Sequence, residues 1–346
     1  MYRLIKHANI RSVKNVWSTL CAHNTRLTPY QEYSYCSIVD QCSIILKWNR
    51  FKNIIYEVRN EDNQTVIIVP LHLKRTKTEN IAYSWGEKSQ AGHLDFIYKD
   101  QIQTEAFLSA MKLISRDIGN VRFVLNRVAE QSRLNELIQT VYGPTDYTVT
   151  RSTCVQIPIA TTYNDYLASL SKQVKQNLRT SFNRLKTDNR TYEVQTYVNQ
   201  PVPTNMLAQL FKIYWKRLSD KAIDIGANKY LPVFLRMRLH PTTVALKRLN
   251  NVYYSIIYID NMIAGFSAGL ISRQGKIILP YFNINSTFAR YSPGGILITE
   301  TIKYLSENYN YKYFDLSRGT EKYKYTYGGI EHYNFNYEIL RDRCDQ

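Results

Sequence analysis

The sequence predicts a mixed α/β protein, and three observations carry that prediction. Short β-prone runs alternate with segments of helical periodicity in both halves of the chain. A run of strands at 252–259 and 262–271 is joined by Asp260-Asn261, as an antiparallel hairpin requires. Near the C-terminus one stretch reads strand, loop, helix, strand: 277–283, then Arg290-Tyr291-Ser292-Pro293-Gly294-Gly295, then 296–305, then Tyr313-Phe314-Asp315-Leu316. Elements of both kinds bury their apolar sides by stacking helices on a sheet. At 346 residues the chain is long enough for two domains of ordinary size, expected at 1–150 and 151–346.

In the first half, residues 1–30 form a leader with helical character at 13–22, and Thr28-Pro29-Tyr30 starts a new element. Residues 35–48 are apolar and fit either a helix or a strand. Residues 53–58 and 65–73 read as strands around the turn Asn60-Glu61-Asp62-Asn63-Gln64, and Pro70 marks an edge or a bulge. Tyr83-Ser84-Trp85-Gly86 and His93-Leu94-Asp95-Phe96 are short strands or loops. Helices follow at 104–118 and 132–141 around a strand at 121–125, and Gly143-Pro144 breaks the chain.

In the second half, a strand at 154–157 precedes Thr162-Tyr163-Asn164-Asp165, a capping box. The helix it opens is the most periodic in the chain. Leu167, Leu170, Val174, Leu178, Phe182 and Leu185 step by three and four, and Lys172, Lys175, Arg179 and Lys186 lie on its other side. Strands are expected at 192–198 and 243–247, and helices at 205–218 and 229–239. Tyr333, Phe335, Tyr337 and Ile339 alternate in a final strand within 325–340.

Composition bounds the partners. There are 45 Lys plus Arg against 28 Asp plus Glu, a net charge of +17, which favours anionic partners: nucleic acid, anionic membrane, or phosphorylated cofactors and substrates. The start of the chain is polar and basic with no long apolar run, so neither a signal peptide nor a membrane span is expected. The five cysteines lack CxxC spacing and the six histidines form no zinc-type cluster, so no metal is assigned. This reads as a cytoplasmic protein with free thiols.

The glycine pair at 294–295 opens a helix, whose first N–H groups are unpaired and carry the positive end of its dipole. That suits an anionic group such as pyrophosphate. An ordinary β-α connection has the same pattern, so both readings stand. The basic helix face is likewise either a solvated surface, a contact for a phosphate-bearing substrate, or a contact for anionic lipid headgroups.

Three blocks give the second half a resemblance to the GNAT acyltransferase superfamily, in the branch of CelD-like (cellulose and polysaccharide biosynthesis) and Fem-type proteins. They are Leu170-Ser171-Lys172-Gln173-Val174-Lys175-Gln176-Asn177-Leu178-Arg179, Tyr291-Ser292-Pro293-Gly294-Gly295-Ile296-Leu297, and Phe314-Asp315-Leu316-Ser317-Arg318-Gly319-Thr320-Glu321-Lys322-Tyr323-Lys324. Val69-Pro70-Leu71 and Asp95-Phe96 resemble the branch's N-terminal region. The resemblance implies two tandem GNAT-like domains, the first degenerate and without an Arg-x-x-Gly-x-Gly loop. The superfamily's pyrophosphate loop falls on Arg290, Pro293 and Gly295, and Pro293 departs from it because proline has no N–H to offer.

The resemblance implies an acyl-CoA-dependent N-acyltransferase acting on an amino sugar or sugar-nucleotide in surface polysaccharide biosynthesis, with acetyl-CoA or another acyl-CoA as donor. Fem-type relatives imply an alternative, transfer from aminoacyl-tRNA, and a non-catalytic binding protein on the same fold is a third reading. Acyl transfer needs a proton acceptor for the amine, stabilisation of the carbonyl oxygen and a proton for the leaving thiolate. The expected catalytic groups are Asp315, Glu321, Tyr323 and Lys324. Arg290, Ser292, Gly294, Gly295, Ile296 and Arg318 are expected to bind the donor's phosphates, and Lys172, Lys175 and Arg179 the substrate or an anionic membrane. Each has an ordinary structural alternative: a cap, an ion pair, a packed tyrosine or a solvated lysine.

Overall fold

The structure, a computed structural model, describes residues 1–45, 51–86, 91–224 and 240–340. The chain forms two compact units, Met1–Thr153 with Tyr333–Gln346, and Cys154–His332.

The first unit contains β1 (Arg3–His7), α1 (Lys14–Ala22), α2 (Tyr33–Ile45), β2 (Lys52–Arg59), β3 (Thr65–Arg75), β4 (Asn80–Ser84), β5 (Ile97–Tyr98), α3 (Thr104–Ile118), β6 (Val121–Ala129) and α4 (Arg133–Val141). β7 (Tyr147–Pro158) leads into the second unit. There follow α5 (Tyr163–Ser169), α6 (Lys172–Thr187), β8 (Tyr192–Val198), α7 (Thr204–Asp224), α8 (Pro241–Arg248), β9 (Val252–Ile259), β10 (Met262–Ile271), β11 (Lys276–Ile284), α9 (Pro293–Asn308), β12 (Tyr313–Arg318), α10 (Lys322–Thr326) and β13 (Ile330–Ile339).

The two units repeat one topology. The first orders its strands β1-β2-β3-β4-β6-β13, with β5 on β3; the second orders them β8-β9-β10-β11-β12-β7. In each, an antiparallel meander feeds a helix and then a strand parallel to the last of the meander: β4 with β6, and β11 with β12. An antiparallel strand completes each sheet, β13 on β6 and β7 on β12. At the third pair of the parallel register the first unit has Ala82 opposite Phe123, where the second has Ile278 opposite Asp315.

The second unit's sheet is covered on both faces. Leu170, Val174 and Leu178, together with Ile298, Ile302 and Leu305 of α9, pack on Ile277, Leu279, Phe314 and Leu316. The opposite face meets α7 and α8, where Phe211 and Tyr214 stand edge-on to Tyr281 and the Thr243 hydroxyl lies 3.0 Å from the Tyr281 hydroxyl. A bulge decides which residue of β11 faces which layer. Between the pairs Ala268–Tyr281 and Leu270–Ile278, β11 carries one residue more than β10. The extra residue shifts the alternation, so Leu279 and Phe282 face α9 while Tyr281 faces α7. Gly269 sits opposite the bulge, and a Cβ there would meet the Ile278 carbonyl oxygen at 2.0 Å.

Three expectations are corrected. Residues 243–247 are helical: Pro241 occupies the first turn, where its fixed φ favours helix and its missing N–H costs nothing, and this outweighs the β-branched Thr242-Thr243-Val244. The single helix expected after Thr162 is two, because Leu170 is extended at ψ 146° and the Ser171 side chain caps a new start by accepting the Val174 N–H. The leader contains strand β1, paired along β2 from Arg3–Arg59 to His7–Ile55. The open choice at 35–48 resolves as α2, and the helix expected at 229–239 lies outside the described residues. Among the described residues, no helix is long and apolar enough to cross a membrane.

Candidate active site

β11 and β12 run parallel for three pairs, Lys276–Tyr313, Ile277–Phe314 and Ile278–Asp315. β11 continues to Ile284, but its bulge turns it away, so the two strands part beyond Asp315. The hydroxyl of Ser317 donates to the Leu279 carbonyl at 2.8 Å across the start of this opening. A gap between parallel strands leaves backbone groups able to pair with an extended ligand.

On the α9 side, the opening is bordered by Phe282, stacked on Tyr323 at 5.5 Å and 17°. Tyr327 completes the group: its hydroxyl would meet a Cβ at Gly295 at 2.0 Å. Burial raises the Tyr327 phenol above its ordinary range, so at neutral pH it carries a proton it can donate. Gly294 lies against Ile284 and Phe282. Thus Gly294, Gly295 and Tyr323 come together here, and Tyr327, which the sequence did not single out among its 29 tyrosines, joins them.

The first turn of α9 is unusual. Ser292, before it, has φ 49° and ψ 50°, the left-handed region, and its side chain caps no N–H. Its carbonyl accepts from Gly295 at 3.0 Å and from Ile296 at 3.5 Å. Pro293 has no N–H, so among the described residues Gly294 holds the open amide of this turn. The Ile296 side chain is fully buried. Arg290 pairs with Asp188 at 3.0 Å, and its carbonyl accepts from the Arg184 guanidinium at 2.9 Å, fixing the loop to the end of α6. Tyr291 adds a 2.8 Å bond to the same Asp188.

The third block lies at the end of β12. Lys324 is 2% exposed, and its ammonium donates to the carbonyls of Ser317 at 3.1 Å, Arg318 at 2.9 Å and Gly319 at 3.1 Å, with Glu321 at 3.0 Å. Its charge is therefore held inward, as a clamp on the turn after the strand. The turn needs the clamp because Ser317 at φ 59° and Gly319 at φ 113° are both left-handed. Glu321 and Arg318 are exposed.

Asp315 faces the other way. Phe314 and Leu316 point to α9, so the carboxylate between them points to the α7 and α8 face. It is fully buried, accepts the Ser317 N–H at 2.7 Å, and lies 3.0 Å from His332 Nε2 and 3.6 Å from Lys276 Nζ. Neither Lys276 nor His332 was singled out by the sequence; both are distant from Asp315 along the chain and carry no shared spacing. Burial, and then the Asp315 carboxylate, push the Cys154 thiol up to about 12, so it is no nucleophile at neutral pH.

On α6, Lys172 and Arg179 are exposed, and Lys175 donates to the Ala168 carbonyl at 3.3 Å. They stand on the side of α6 away from Val174, Leu178, Ser181 and Leu185.

Comparison with known proteins fits this geometry. Residues 172–325 match the acetyltransferase (GNAT) domain. Among the curated proteins, none matches the chain. Three solved structures share its fold over nearly its whole length. FemX aligns with a TM-score of 0.59 at 9% identity, covering 99% of this chain and 98% of that one. A conserved protein of unknown function from Bacteroides thetaiotaomicron aligns with a TM-score of 0.58 at 11% identity, covering 98% and 100%. The C-terminal domain of a putative lysylphosphatidylglycerol synthetase from Agrobacterium fabrum aligns with a TM-score of 0.53 at 10% identity, covering 96% and 93%. The region with the parted strands, the left-handed Ser292 and the clamped turn lies within the stretch that matches a GNAT acetyltransferase domain, in a two-unit mixed α/β fold of the kind seen in FemX.

Proposed function

We propose that the chain is an N-acyltransferase whose donor, an acyl-CoA, lies in the opening between β11 and β12 with its phosphates at the start of α9. The observation that carries this reading is the parting of the two strands beyond Asp315, within the region that matches a GNAT domain. An extended thioester arm pairs with the backbone freed there, and the Gly294 amide with the helix dipole receives a phosphate. Arg318, exposed at the strand end, adds charge.

The chemistry follows from the groups at the opening. The acceptor nitrogen forms a bond to the acyl carbon, and the carbon–sulfur bond breaks. The thiolate takes a proton from the hydroxyl of Tyr323 or Tyr327, and the amine's proton passes to the Asp315 carboxylate or to Glu321. Lys324 acts by positioning: it holds the turn at the end of β12. The acceptor is an amino sugar or sugar-nucleotide in surface polysaccharide biosynthesis, a reading supported by resemblance to the CelD-like branch. The thermal midpoint of the full chain, measured with acetyl-CoA and with longer acyl-CoAs, tests the donor. A ligand at 100 times its dissociation constant adds about 2.7 kcal/mol to stability, a readily measured shift. If no acyl-CoA moves the midpoint, the donor assignment is wrong. Tyr323→Phe and Tyr327→Phe, measured singly, identify the proton donor by a fall in kcat of about 10²–10⁴.

A second reading, transfer from aminoacyl-tRNA, is favoured by one specific observation. With Gly295 and Ile296 engaged by the Ser292 carbonyl, the α9 start offers a phosphate little beyond one amide. A donor held by its nucleic-acid body needs less from that loop. Retention of a radiolabelled aminoacyl-tRNA on the protein, with acetyl-CoA failing to compete, selects this reading.

A further inference from the structure

The face of the second unit's sheet opposite α9 holds a cleft that the reaction above leaves unassigned. It has a volume of about 310 Å³ and is lined, among the described residues, by Thr204, Leu207, Ala208 and Phe211 of α7 and by Thr243 and Lys247 of α8. The spacing explains the lining. Thr204, Leu207, Ala208 and Phe211 fall at i, i+3, i+4 and i+7, one face of a helix, and Thr243 and Lys247 at i and i+4 share another.

The walls are mainly apolar, and the buried Thr243 adds a hydroxyl that lies 3.0 Å from that of Tyr281 behind it. Lys247 is exposed, and among the described residues no carboxylate lies within ion-pair distance of it. Among the described residues no Asp or Glu lines the cleft. Here the bulge in β11 matters: it turns Tyr281 to this face, the face to which Asp315 also points. The Thr243 side chain therefore stands between the cleft and the strand that borders the donor opening, on the face to which the buried carboxylate points.

We propose that this cleft is the acceptor subsite and that Lys247 selects an acceptor bearing a negative charge, a phosphorylated or carboxylated amino sugar over a neutral one. The inference rests on the acyltransferase reading and narrows its acceptor. The apolar walls take the carbon face of a sugar ring, the Thr243 hydroxyl takes a ring hydroxyl, and the ammonium takes the anion. A lysine in the last turn of a helix also suits the helix dipole, and a lysine placed there for that reason alone leaves ligand binding unchanged when it is replaced.

Calorimetric titration of the full chain with glucosamine, glucosamine 6-phosphate and muramic acid tests this. Glucosamine 6-phosphate or muramic acid, or both, should bind about ten-fold or more tightly than glucosamine, a difference near 1.4 kcal/mol. The pattern between them separates phosphate from carboxylate. Lys247→Gln should bring all three to within about two-fold of one another without moving the thermal midpoint. Ala208→Trp, which fills the cleft, should abolish binding of all three while acetyl-CoA still raises the midpoint. Equal affinity for the three, no effect of Lys247→Gln, or binding that survives Ala208→Trp overturns the subsite. Loss of the acetyl-CoA response alone, with Lys247-dependent binding intact, overturns the donor reading and leaves the subsite standing.

Discussion

The Tyr327 hydroxyl lies so close to Gly295 that a Cβ at that position would meet it at 2.0 Å. Gly295 is thus a glycine because a phenol occupies the space a side chain needs. Gly295→Ala should cost about 1–3 kcal/mol by overpacking, read as a lower urea midpoint. Tyr327→Phe in the same chain removes the nearest atom and should recover part of the loss. If Gly295→Ala is neutral and the double variant is no better, the close contact does not constrain the loop.

Lys324 leads to a second prediction. Replacing it by methionine keeps the volume and strands the carbonyls of Ser317, Arg318 and Gly319. Breaking such a buried charged cluster costs about 3–5 kcal/mol. Lys324→Met should therefore unfold at lower urea, while the folded fraction keeps its Michaelis constant for the donor. A normal urea midpoint with a raised Michaelis constant would show instead that the ammonium meets the donor directly.

These two positions show what the sequence conveyed. The strand, loop, helix and strand around residues 294–295 were legible because apolar runs and turn residues act locally; so was the hairpin at Asp260-Asn261, whose φ values of 48° and 61° both residues tolerate. The Asp315–Lys324 block was legible by resemblance. Its inward-held ammonium was not, since it depends on three carbonyls brought round by left-handed residues. The environment of Asp315 was equally hidden, because Lys276 and His332 reach it through sheet register. At Thr243, a local β preference was overridden by Pro241. At Leu170-Ser171, apolar periodicity ran straight across a helix end, since two successive helices packing on one sheet share the same repeat.

The exposed face of α6 gives a third prediction, which separates the two donor readings. Lys172, Gln176, Arg179, Asn183 and Lys186 recur at i, i+4, i+7, i+11 and i+14, all exposed and none acidic. The three cations stand about 10 Å apart along the helix, at 1.5 Å per residue. If the donor is aminoacyl-tRNA, replacing all three by glutamine should weaken tRNA binding and flatten its dependence on salt. The slope of log affinity against log salt should fall by about two to three, at roughly 0.7–0.9 per phosphate contact. An unchanged slope assigns the face to solvent.

Asp95, in the first unit, gives a pH prediction. Burial is the largest influence on it and pushes its carboxyl from 3.8 up to about 7, against the opposing pull of the Tyr98 hydroxyl and the Phe96 N–H. Between about pH 4 and 7 the folded unit retains a proton that the unfolded chain has released. This group's contribution to stability is therefore present in full below pH 4, falls as pH rises through that window by up to about 1.4 kcal/mol per pH unit, and levels off above pH 7. Asp95→Asn removes the titration and keeps an oxygen for the Tyr98 hydroxyl. The stability of the variant minus that of the natural chain, measured by urea unfolding at pH 5 and pH 8, should shift in favour of the variant at pH 8. A constant difference would mean that Asp95 ionises in the folded unit as freely as it does in the unfolded chain.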